Sequence, residues 1–430
     1  MGTSRRGQTT YVNKRGTASN PAYQWWLTAL LSANFGFVLF DRNALNFLMP
    51  FVQPELGLNN VQVGLFAAAL SLTWALAAFG VGYVADRFGS RKRLLVLSSV
   101  AFALCSFASG LAPGFMAMLG TRLAMGVAEG GIMPLSQSLI AAQVDERHRG
   151  VAMGVAQGLG SSLMGSFVAP VLLVSFATAH GWRHAFFLAA APALVVALLI
   201  AVVVRDTPPP ASPPEKETVY VPGTLWESLA DSNIVRCVAL SVLFVSYLVV
   251  TWTFMPLYLT HTLGYDASTM SWLMGVLGIA ATLYSFALTA LSDRIGRRAV
   301  VAVTTLLAVL LPLGALFHSG PPWMLAGVFF VGWAFTGAMP LVMATIPSES
   351  VAARNIGSAL GLCMGGSEIL GGVLAPLFAG SLADEIDLQA PLYCLLAFAL
   401  LSFLVAVGLR ETAPRVLARG ATLQRHVERQ

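Results

Sequence analysis

The stretch GYVADRFGSRKR, residues 82–93, decides the fold, because a second copy of it, TALSDRIGRRAV, follows at residues 289–300. The positions that match at an offset of 207 are Asp86, Arg87, Gly89 and Arg91 in the first copy and Asp293, Arg294, Gly296 and Arg298 in the second. Thr289 stands where the first copy has its leading glycine, Gly82. Two more pairs of stretches align at almost the same offset, 158–170 with 364–376 and 131–134 with 337–340. The chain therefore contains two related parts in the same orientation.

Long uncharged runs around these copies indicate a membrane protein. Of the 430 residues, 57% are hydrophobic and only 10% are charged, whereas soluble proteins carry roughly 25% charged residues. Residues 56–85, 94–121 and 237–265 contain no Lys, Arg, Asp or Glu, and about 20 apolar residues suffice to span a bilayer. A buried core helix in a large soluble protein is excluded, because such runs recur along the whole chain.

Charge clusters and Gly/Pro turns between these runs predict an all-α membrane protein with twelve transmembrane helices. Their predicted limits are 23–51, 60–85, 94–112, 114–141, 149–176, 184–204, 233–260, 267–291, 298–318, 322–346, 355–383 and 389–409. The corresponding domains are an N-terminal tail (1–22), a six-helix half (23–204), a linker (205–232), a second six-helix half (233–409) and a C-terminal tail (410–430).

The distribution of Lys and Arg predicts that both termini are cytoplasmic. We assign Arg183 alone to an outer loop, and Arg42 and Arg122 to spans, and the others to the termini and alternate loops, where positive charge marks the cytoplasmic side. The net charge of +5 then reflects topology and not nucleic-acid binding. The basic residues 1–22 lead into a retained span instead of a cleaved signal. Four scattered cysteines suit helix packing, and no metal-ligand spacing occurs.

Two six-helix halves in parallel orientation are the plan of one large transporter group. With the pattern G-x-x-x-D-R-x-G-x-R-K at 82–92, the chain resembles the Major Facilitator Superfamily along nearly its full length. The resemblance implies that Asp86 contacts the start of the eleventh helix and holds the cytoplasmic side shut, a contact that the helix dipole favours. The candidate gate residues are Gly82, Asp86, Arg87, Gly89, Arg91, Asp293, Arg294 and Arg298. The arginines have an alternative interpretation as topology anchors.

Five ionisable residues fall inside predicted spans, where such residues are functional candidates. They are Asp41, Arg42, Arg122, Glu129 and Glu368. Arg122 and Glu129 are seven residues apart, about two helical turns along one face. Helix directions and depths predict two pairs between helices, Asp41 with Arg122 and Arg42 with Glu129. Ion pairs that only fix helix packing are the alternative, but buried pairs often break even at best in stability.

The same charged residues carry a closer resemblance. The stretch FDR (40–42), the pattern R-x-x-x-G-x-x-E-G-x-x-x-P (122–134) and GWRHAFF (181–187) are similar to the anion:cation symporter branch of the superfamily. This resemblance implies that Asp41 and Glu129 carry protons and that Arg42 grips an organic anion, such as a sugar acid or another small carboxylate. Arg122 is expected to organise substrate and acids.

Glu368 is not part of the branch pattern and has several interpretations. One interpretation is that Glu368 is neutral at rest, and another is that it is a third proton site. It is alternatively a hydrogen-bond acceptor for a substrate hydroxyl, or a protonated acid bonded to a helix carbonyl. Further candidates for substrate binding, each of a type that more often packs helices together, are Asn46, Gln157, Tyr247, Trp252, Trp333 and Ser367.

The sequence as a whole predicts a monomeric, multi-pass, proton-coupled symporter of the bacterial inner membrane. Its partners are a small organic anion, protons and the bilayer, and its driving force is the proton gradient without a cofactor. A lysolipid or drug transporter of the same fold is the alternative. An intramembrane enzyme is disfavoured because neither H-E-x-x-H nor G-x-S-x-G occurs. A transport-inactive sensor would lack a signalling domain.

Overall fold

The computed structural model describes residues 21–88, 90–206 and 225–418, and within these ranges the chain is helical without any strand. The α-helices are α1 (Pro21–Arg42), α2 (Ala44–Leu56), α3 (Asn60–Phe88), α4 (Arg91–Gly110), α5 (Phe115–Gly130), α6 (Ile132–Gln143), α7 (Glu146–Gly154), α8 (Ala169–His180), α9 (Trp182–Val203), α10 (Leu225–Leu229), α11 (Ser232–Leu257), α12 (Ala267–Ile295), α13 (Arg297–Leu307), α14 (Leu310–Phe317), α15 (Pro322–Gly332), α16 (Ile346–Ser350), α17 (Ile356–Ile369), α18 (Ala375–Glu385) and α19 (Ala390–Val407). Short π-helices at Val155–Leu159, Ser161–Val168, Tyr258–Thr262, Leu341–Thr345 and Leu370–Leu374, and 3₁₀-helices at Trp333–Ala338 and Ala353–Asn355, join some of them.

Ten helical stretches in the described ranges are long and apolar enough to cross a membrane. Their outer surface is apolar as well: Leu76, Leu198, Phe317 and Leu404 are each more than 60% exposed. Soluble monomers rarely expose contiguous apolar surface of this kind, whereas a bilayer's hydrocarbon core solvates it. The fold is therefore that of an all-helical membrane protein.

Two further helical stretches, residues 21–56 and 115–143, are each interrupted at a single position. Asn43 separates α1 from α2, and Gly131 separates α5 from α6. The Asn43 side chain donates a hydrogen bond to the Gly165 carbonyl, at 3.0 Å. At both positions the backbone keeps right-handed helical dihedral angles, and the Asn43 N–H still donates to the Leu39 carbonyl at 3.2 Å. The interruptions are therefore local, and each stands within two residues of a charged side chain, Arg42 or Glu129.

The N-terminal part (residues 21–206) packs on the C-terminal part (residues 225–418) through one continuous apolar core. Phe47 of α2 and Trp252 of α11 meet edge to face within it, with ring centroids 5.6 Å apart. Aromatic pairs in this arrangement stabilise a contact beyond the area that they bury. A second buried cluster belongs to the N-terminal part alone.

The two parts touch directly at the end of the bundle where α2 turns into α3, which we call the Gly57 end. There the Asp384 carboxylate of α18 accepts hydrogen bonds from the backbone N–H groups of Asn60 and Val61, at 2.8 and 2.9 Å. A carboxylate is favoured there because the first N–H groups of a helix lack partners of their own. Next to this contact, a Cβ on Gly64 would overlap the Pro376 carbonyl oxygen, so glycine permits the close approach. The Gly57 end is thus closed.

Replacing Asp384 by alanine is expected to open the Gly57 end in a larger share of molecules. Losing the two bonds to the start of α3 removes about 1–2 kcal/mol from the closed state, a shift of about tenfold in the equilibrium. Pulsed electron paramagnetic resonance between spin labels at Ala179 and Thr262, both exposed near this end, would show a longer distance. Asp387→Ala is the control, because that carboxylate accepts locally from Gln389 N–H. An unchanged distance distribution in Asp384→Ala would contradict the assignment.

Candidate functional site

A cavity of about 310 Å³ lies between the N-terminal and C-terminal parts, at the depth of the α1–α2 break. This volume is at the lower end of the range for small-molecule sites. Both parts contribute to its wall, which consists of Leu39, Arg42, Asn43, Leu45, Asn46, Met49, Val63, Phe66, Ala67, Leu70, Ser71, Arg122, Ser166, Val245, Leu248, Val249, Trp252, Thr253, Met339, Met343 and Glu368. A cavity that two packed parts share changes shape whenever they move against each other.

Arg42 and Glu129 form the ion pair that the sequence predicts. The Arg42 Nη1 atom lies 2.7 Å from Glu129 Oε1. Next to Glu129, Gly130 lets α5 approach α3 closely, because a Cβ there would lie 2.6 Å from the Trp74 carbonyl oxygen of α3. The Arg42 guanidinium also lies 5.7 Å from the Trp74 ring centroid.

The two partners of this pair differ in exposure. The Glu129 side chain is 1% exposed, whereas that of Arg42 is 21% exposed and lines the cavity. Glu129 Oε2 is buried and has no hydrogen-bond partner among the described residues. Arg42 therefore presents a positive charge to the cavity while Glu129 lies behind it.

Asp41 and Arg122 do not form the second predicted pair. Two serines of α4 bind them instead: Ser106 donates to Asp41 Oδ1 at 2.6 Å, and Arg122 Nη2 donates to Ser109 Oγ at 2.5 Å. The serines are three residues apart and share one face of α4, so each can take one member of the expected pair. Asp41 is fully buried and Arg122 is 1% exposed.

Several polar atoms of Asp41 and Arg122 remain without a bond. Within the described part of the chain, Asp41 Oδ2, Arg122 Nε and Arg122 Nη1 are buried and have no hydrogen-bond partner. Buried charged atoms without partners are costly and uncommon. Their arrangement is therefore suited to a change of partner, in which an acid and an arginine can bind each other or something else.

Glu368 lies on the cavity wall where the C-terminal part meets α3. A Cβ on Gly372 would lie 3.1 Å from Glu368 Oε2 and 3.0 Å from Ser71 Oγ, which places all three side by side. Arg42 lines the same cavity as Glu368. The Glu368 Oε2 atom is buried and has no hydrogen-bond partner among the described residues, so the expected bond to a helix carbonyl is absent at that atom. The site thus holds two acids, Glu129 bonded to Arg42 and Glu368 on the cavity wall.

The other candidates for substrate binding divide into two groups. Asn46 and Trp252 line the cavity. Tyr247 and Ser367 lie behind its wall, where their hydroxyls donate to the Ala308 and Met364 carbonyls at 2.8 and 2.9 Å. Trp333 is also buried and packs edge to face against Trp252, with their ring centroids 5.5 Å apart. The structure does not describe the side chain of the remaining candidate, Gln157.

The predicted gate is described more fully in its second copy. In the first copy, Gly89 and the surroundings of Gly82, Asp86 and Arg87 lie outside what the structure describes, whereas Arg91 begins α4. In the second copy, Asp293 binds Arg297 at 2.7 Å, and Arg297 also binds Glu349 at 2.9 Å. The side chains of Arg294 and Arg298 are exposed. Sequence reasoning missed Arg297, although its position four residues after Asp293 was a signal for the pair.

Comparison with known proteins identifies the fold and its relatives. A sequence model of the Major Facilitator Superfamily matches residues 31–254 and 237–426. The crystal structure of a bacterial homologue of the human lysosomal transporter Spinster, in an inward-facing and unoccupied conformation, superposes with a TM-score of 0.73. The superposition covers 90% of this chain and 98% of the Spinster homologue, and the two sequences are 18% identical. This likeness shows the fold alone.

Two relatives are named as transporters, and a third is named for multidrug resistance. The hexuronate transporter of Bacillus subtilis is 28% identical over 371 residues, which is 80% of this chain and 84% of the relative. Multidrug resistance protein MdtG of Salmonella heidelberg is 28% identical over 82% of this chain and 88% of the relative. The probable 4-methylmuconolactone transporter of Cupriavidus pinatubonensis is 33% identical over 150 residues, 34% of this chain. That match spans only 35% of the relative's length.

Proposed function

Because the chain belongs to the Major Facilitator Superfamily, we propose that it is a secondary transporter that moves a small organic anion together with protons. The observation that carries this proposal is the Arg42–Glu129 pair on the wall of the cavity between the two parts. Intramembrane charges are expensive and mark substrate or proton pathways. The names of the hexuronate and 4-methylmuconolactone transporters support an acidic cargo.

Anion and proton binding are coupled through competition for Arg42. A substrate carboxylate that binds the guanidinium displaces Glu129, and the displaced carboxyl group then takes up a proton more readily. Binding of either ligand therefore favours the other, and the coupling is reciprocal by thermodynamic necessity. Arginine suits this role because it stays charged and binds carboxylates through parallel hydrogen bonds.

Asp41 and Arg122 provide a second exchange of partners. In this structure the Ser106 and Ser109 hydroxyls hold them, and a small movement of α4 brings acid and base together instead. An acid that is paired in one state and unpaired in another takes up a proton in one and releases it in the other. Asp41 is thus the second proton carrier of the proposal.

The proposed arrangement in the membrane follows the charge distribution. The ten apolar stretches and the interrupted stretches 21–56 and 115–143 make twelve spans, with both termini in the cytoplasm of a bacterial cell. The halves 23–204 and 233–409 rock about the cavity, and the Gly57 end, which is closed here, faces away from the cytoplasm.

Uptake into proteoliposomes with an imposed pH gradient tests the proposal. A panel of sugar acids, hydroxy acids and aromatic acids is offered, and we expect at least one to accumulate about tenfold above its outside concentration, as a gradient of one pH unit permits for one proton per molecule. Dissipating the gradient with a protonophore should abolish accumulation. If no carboxylate moves protons, symport is excluded.

Drug export is the second candidate function. It is supported by the similarity to MdtG over most of both chains and by the apolar residues of the cavity wall. The buried positive charges distinguish the two functions, because Arg42 favours an anion whereas most exported drugs are neutral or cationic. Export of lipophilic cations without any carboxylate transport would favour the second function.

A further inference from the structure

The wall of the cavity is mostly apolar, and this limits which carboxylates fit it. Apolar side chains come from both parts, among them Phe66, Leu70, Trp252 and the methionines Met49, Met339 and Met343. Methionine adapts its shape and makes favourable contacts with aromatic rings. A substrate body that meets this wall is itself apolar, because hydroxyl groups buried against it lose their hydrogen bonds to water without replacement.

Polar side chains are the minority on the cavity wall. Asn43 is already engaged with the Gly165 carbonyl, and Arg122 is held by Ser109 through one of its nitrogens. The charged groups on the wall are Arg42, Arg122 and Glu368, and the remaining uncharged polar side chains are Asn46, Ser71, Ser166 and Thr253. A sugar acid carries hydroxyl groups around its whole ring, and the apolar side chains that predominate here leave some of them without partners.

Glu368 is the acidic side chain that lines the cavity. Its Oε2 atom is buried, has no hydrogen-bond partner among the described residues and belongs to a side chain on the cavity wall. The charged and titratable groups near it are Arg42 of α1 and Glu129 of α5, and the polar side chain beside it is Ser71 of α3. The lining residues of α11 add none that titrates. A hydroxyl group can bond to either protonation state of Glu368, since it donates as well as accepts.

We propose that the substrate is a compact hydroxy-carboxylate with an apolar body, its carboxylate bound by Arg42 and its hydroxyl by Glu368. This inference rests on the proposed transport of organic anions and narrows its substrate class. A site whose buried polar group matches a substrate hydroxyl discriminates strongly against the analogue that lacks it, because the group is then left unpaired. Glu368 is accordingly the residue that determines specificity.

Isothermal titration of the purified full-length protein with benzoate, 3- and 4-hydroxybenzoate and galacturonate tests the inference. We expect the better hydroxybenzoate to bind about tenfold more tightly than benzoate, a preference that corresponds to the net contribution of one hydrogen bond. It should also bind more tightly than galacturonate, whose ring hydroxyls would meet apolar side chains. Glu368→Leu should remove the preference for the hydroxyl, and Glu368→Gln should retain most of it. Thermal unfolding of each variant verifies that it is folded, and retained benzoate binding verifies that its site is intact.

The remaining outcomes separate this inference from the function on which it rests. Preference for galacturonate would overturn the apolar substrate class and leave organic anion transport in place. An undiminished hydroxyl preference in Glu368→Leu would overturn the role of Glu368. Failure of all four acids to bind, with accumulation of another carboxylate in the pH-gradient assay, would overturn the substrate class alone. Failure in both assays would overturn the proposed function as well.

Discussion

Replacing Glu129 by glutamine is expected to abolish accumulation of substrate by a pH gradient while exchange of substrate across the membrane continues. Glutamine has nearly the same shape and can still accept a hydrogen bond from Arg42, but its amide neither takes up nor releases a proton at any ordinary pH. The partner exchange at Arg42 then has no protonation step, so the proton gradient no longer drives uptake. Accumulation should fall from about tenfold to simple equilibration, while counterflow stays within about threefold of wild type.

Proteoliposomes with an imposed pH gradient measure accumulation, and preloaded proteoliposomes without a gradient measure counterflow. Glu55→Gln is the matched control: Glu55 binds Arg183 and Trp182 near the Gly57 end and does not line the cavity. It should preserve both activities. Loss of counterflow in Glu129→Gln would instead assign Glu129 to substrate binding or to folding.

Replacing Arg42 by alanine is expected to weaken substrate binding by about 100-fold or more. Hydrogen bonds to charged groups contribute about 1.5–3 kcal/mol each, and Arg42 lines the cavity in front of its buried partner Glu129. The same change leaves Glu129 buried without its cation, which destabilises the fold by about 3–5 kcal/mol. Titration with substrate measures the first effect, and thermal unfolding measures the second.

The double variant Arg42→Ala/Glu129→Gln separates these two effects. Neutral glutamine removes the unpaired buried charge, so stability should return toward that of wild type while binding remains lost. Arg42→Lys is a second comparison, because it keeps the charge without the planar group that binds carboxylates in parallel. Recovery of full affinity in the double variant would show that Arg42 supports the fold and does not hold the substrate.

Helix boundaries could be predicted well from the sequence, because the bilayer imposes long apolar runs and collects charges between them. The predicted span 267–291 compares with α12 at Ala267–Ile295, and 389–409 compares with α19 at Ala390–Val407. The interruptions at Asn43 and Gly131 were harder to predict from the sequence. Asparagine and glycine occur at many other helical positions of this chain, and only the packing of neighbouring helices decides where one interrupts a helix.

The Arg42–Glu129 pair was also predictable, since helix direction and depth follow from chain order and leave few partners for a buried charge. The separation of Asp41 from Arg122 was not. Ser106 and Ser109 are unremarkable in a run of small residues, and their hydroxyls matter only through the rotation of α4 against α1 and α5. The shape of the cavity could not be predicted for the same reason. Tyr247 and Trp333 are residue types that often line binding sites, yet the orientation of their helices buries them behind the cavity wall.

The contact of Asp384 with the start of α3 constrains evolution of the two parts unequally. Its acceptor is a side chain, but its donors are the backbone amides of residues 60 and 61, which every residue except proline supplies. This contact therefore accepts any residue except proline at positions 60 and 61, while position 384 must keep an acidic oxygen. The Asn60 side chain is constrained separately, because it accepts a hydrogen bond from Gln53 at 3.0 Å. Sequence covariation, which detects pairs of side chains that change together, has nothing to detect at this contact even though it joins the two parts of the molecule.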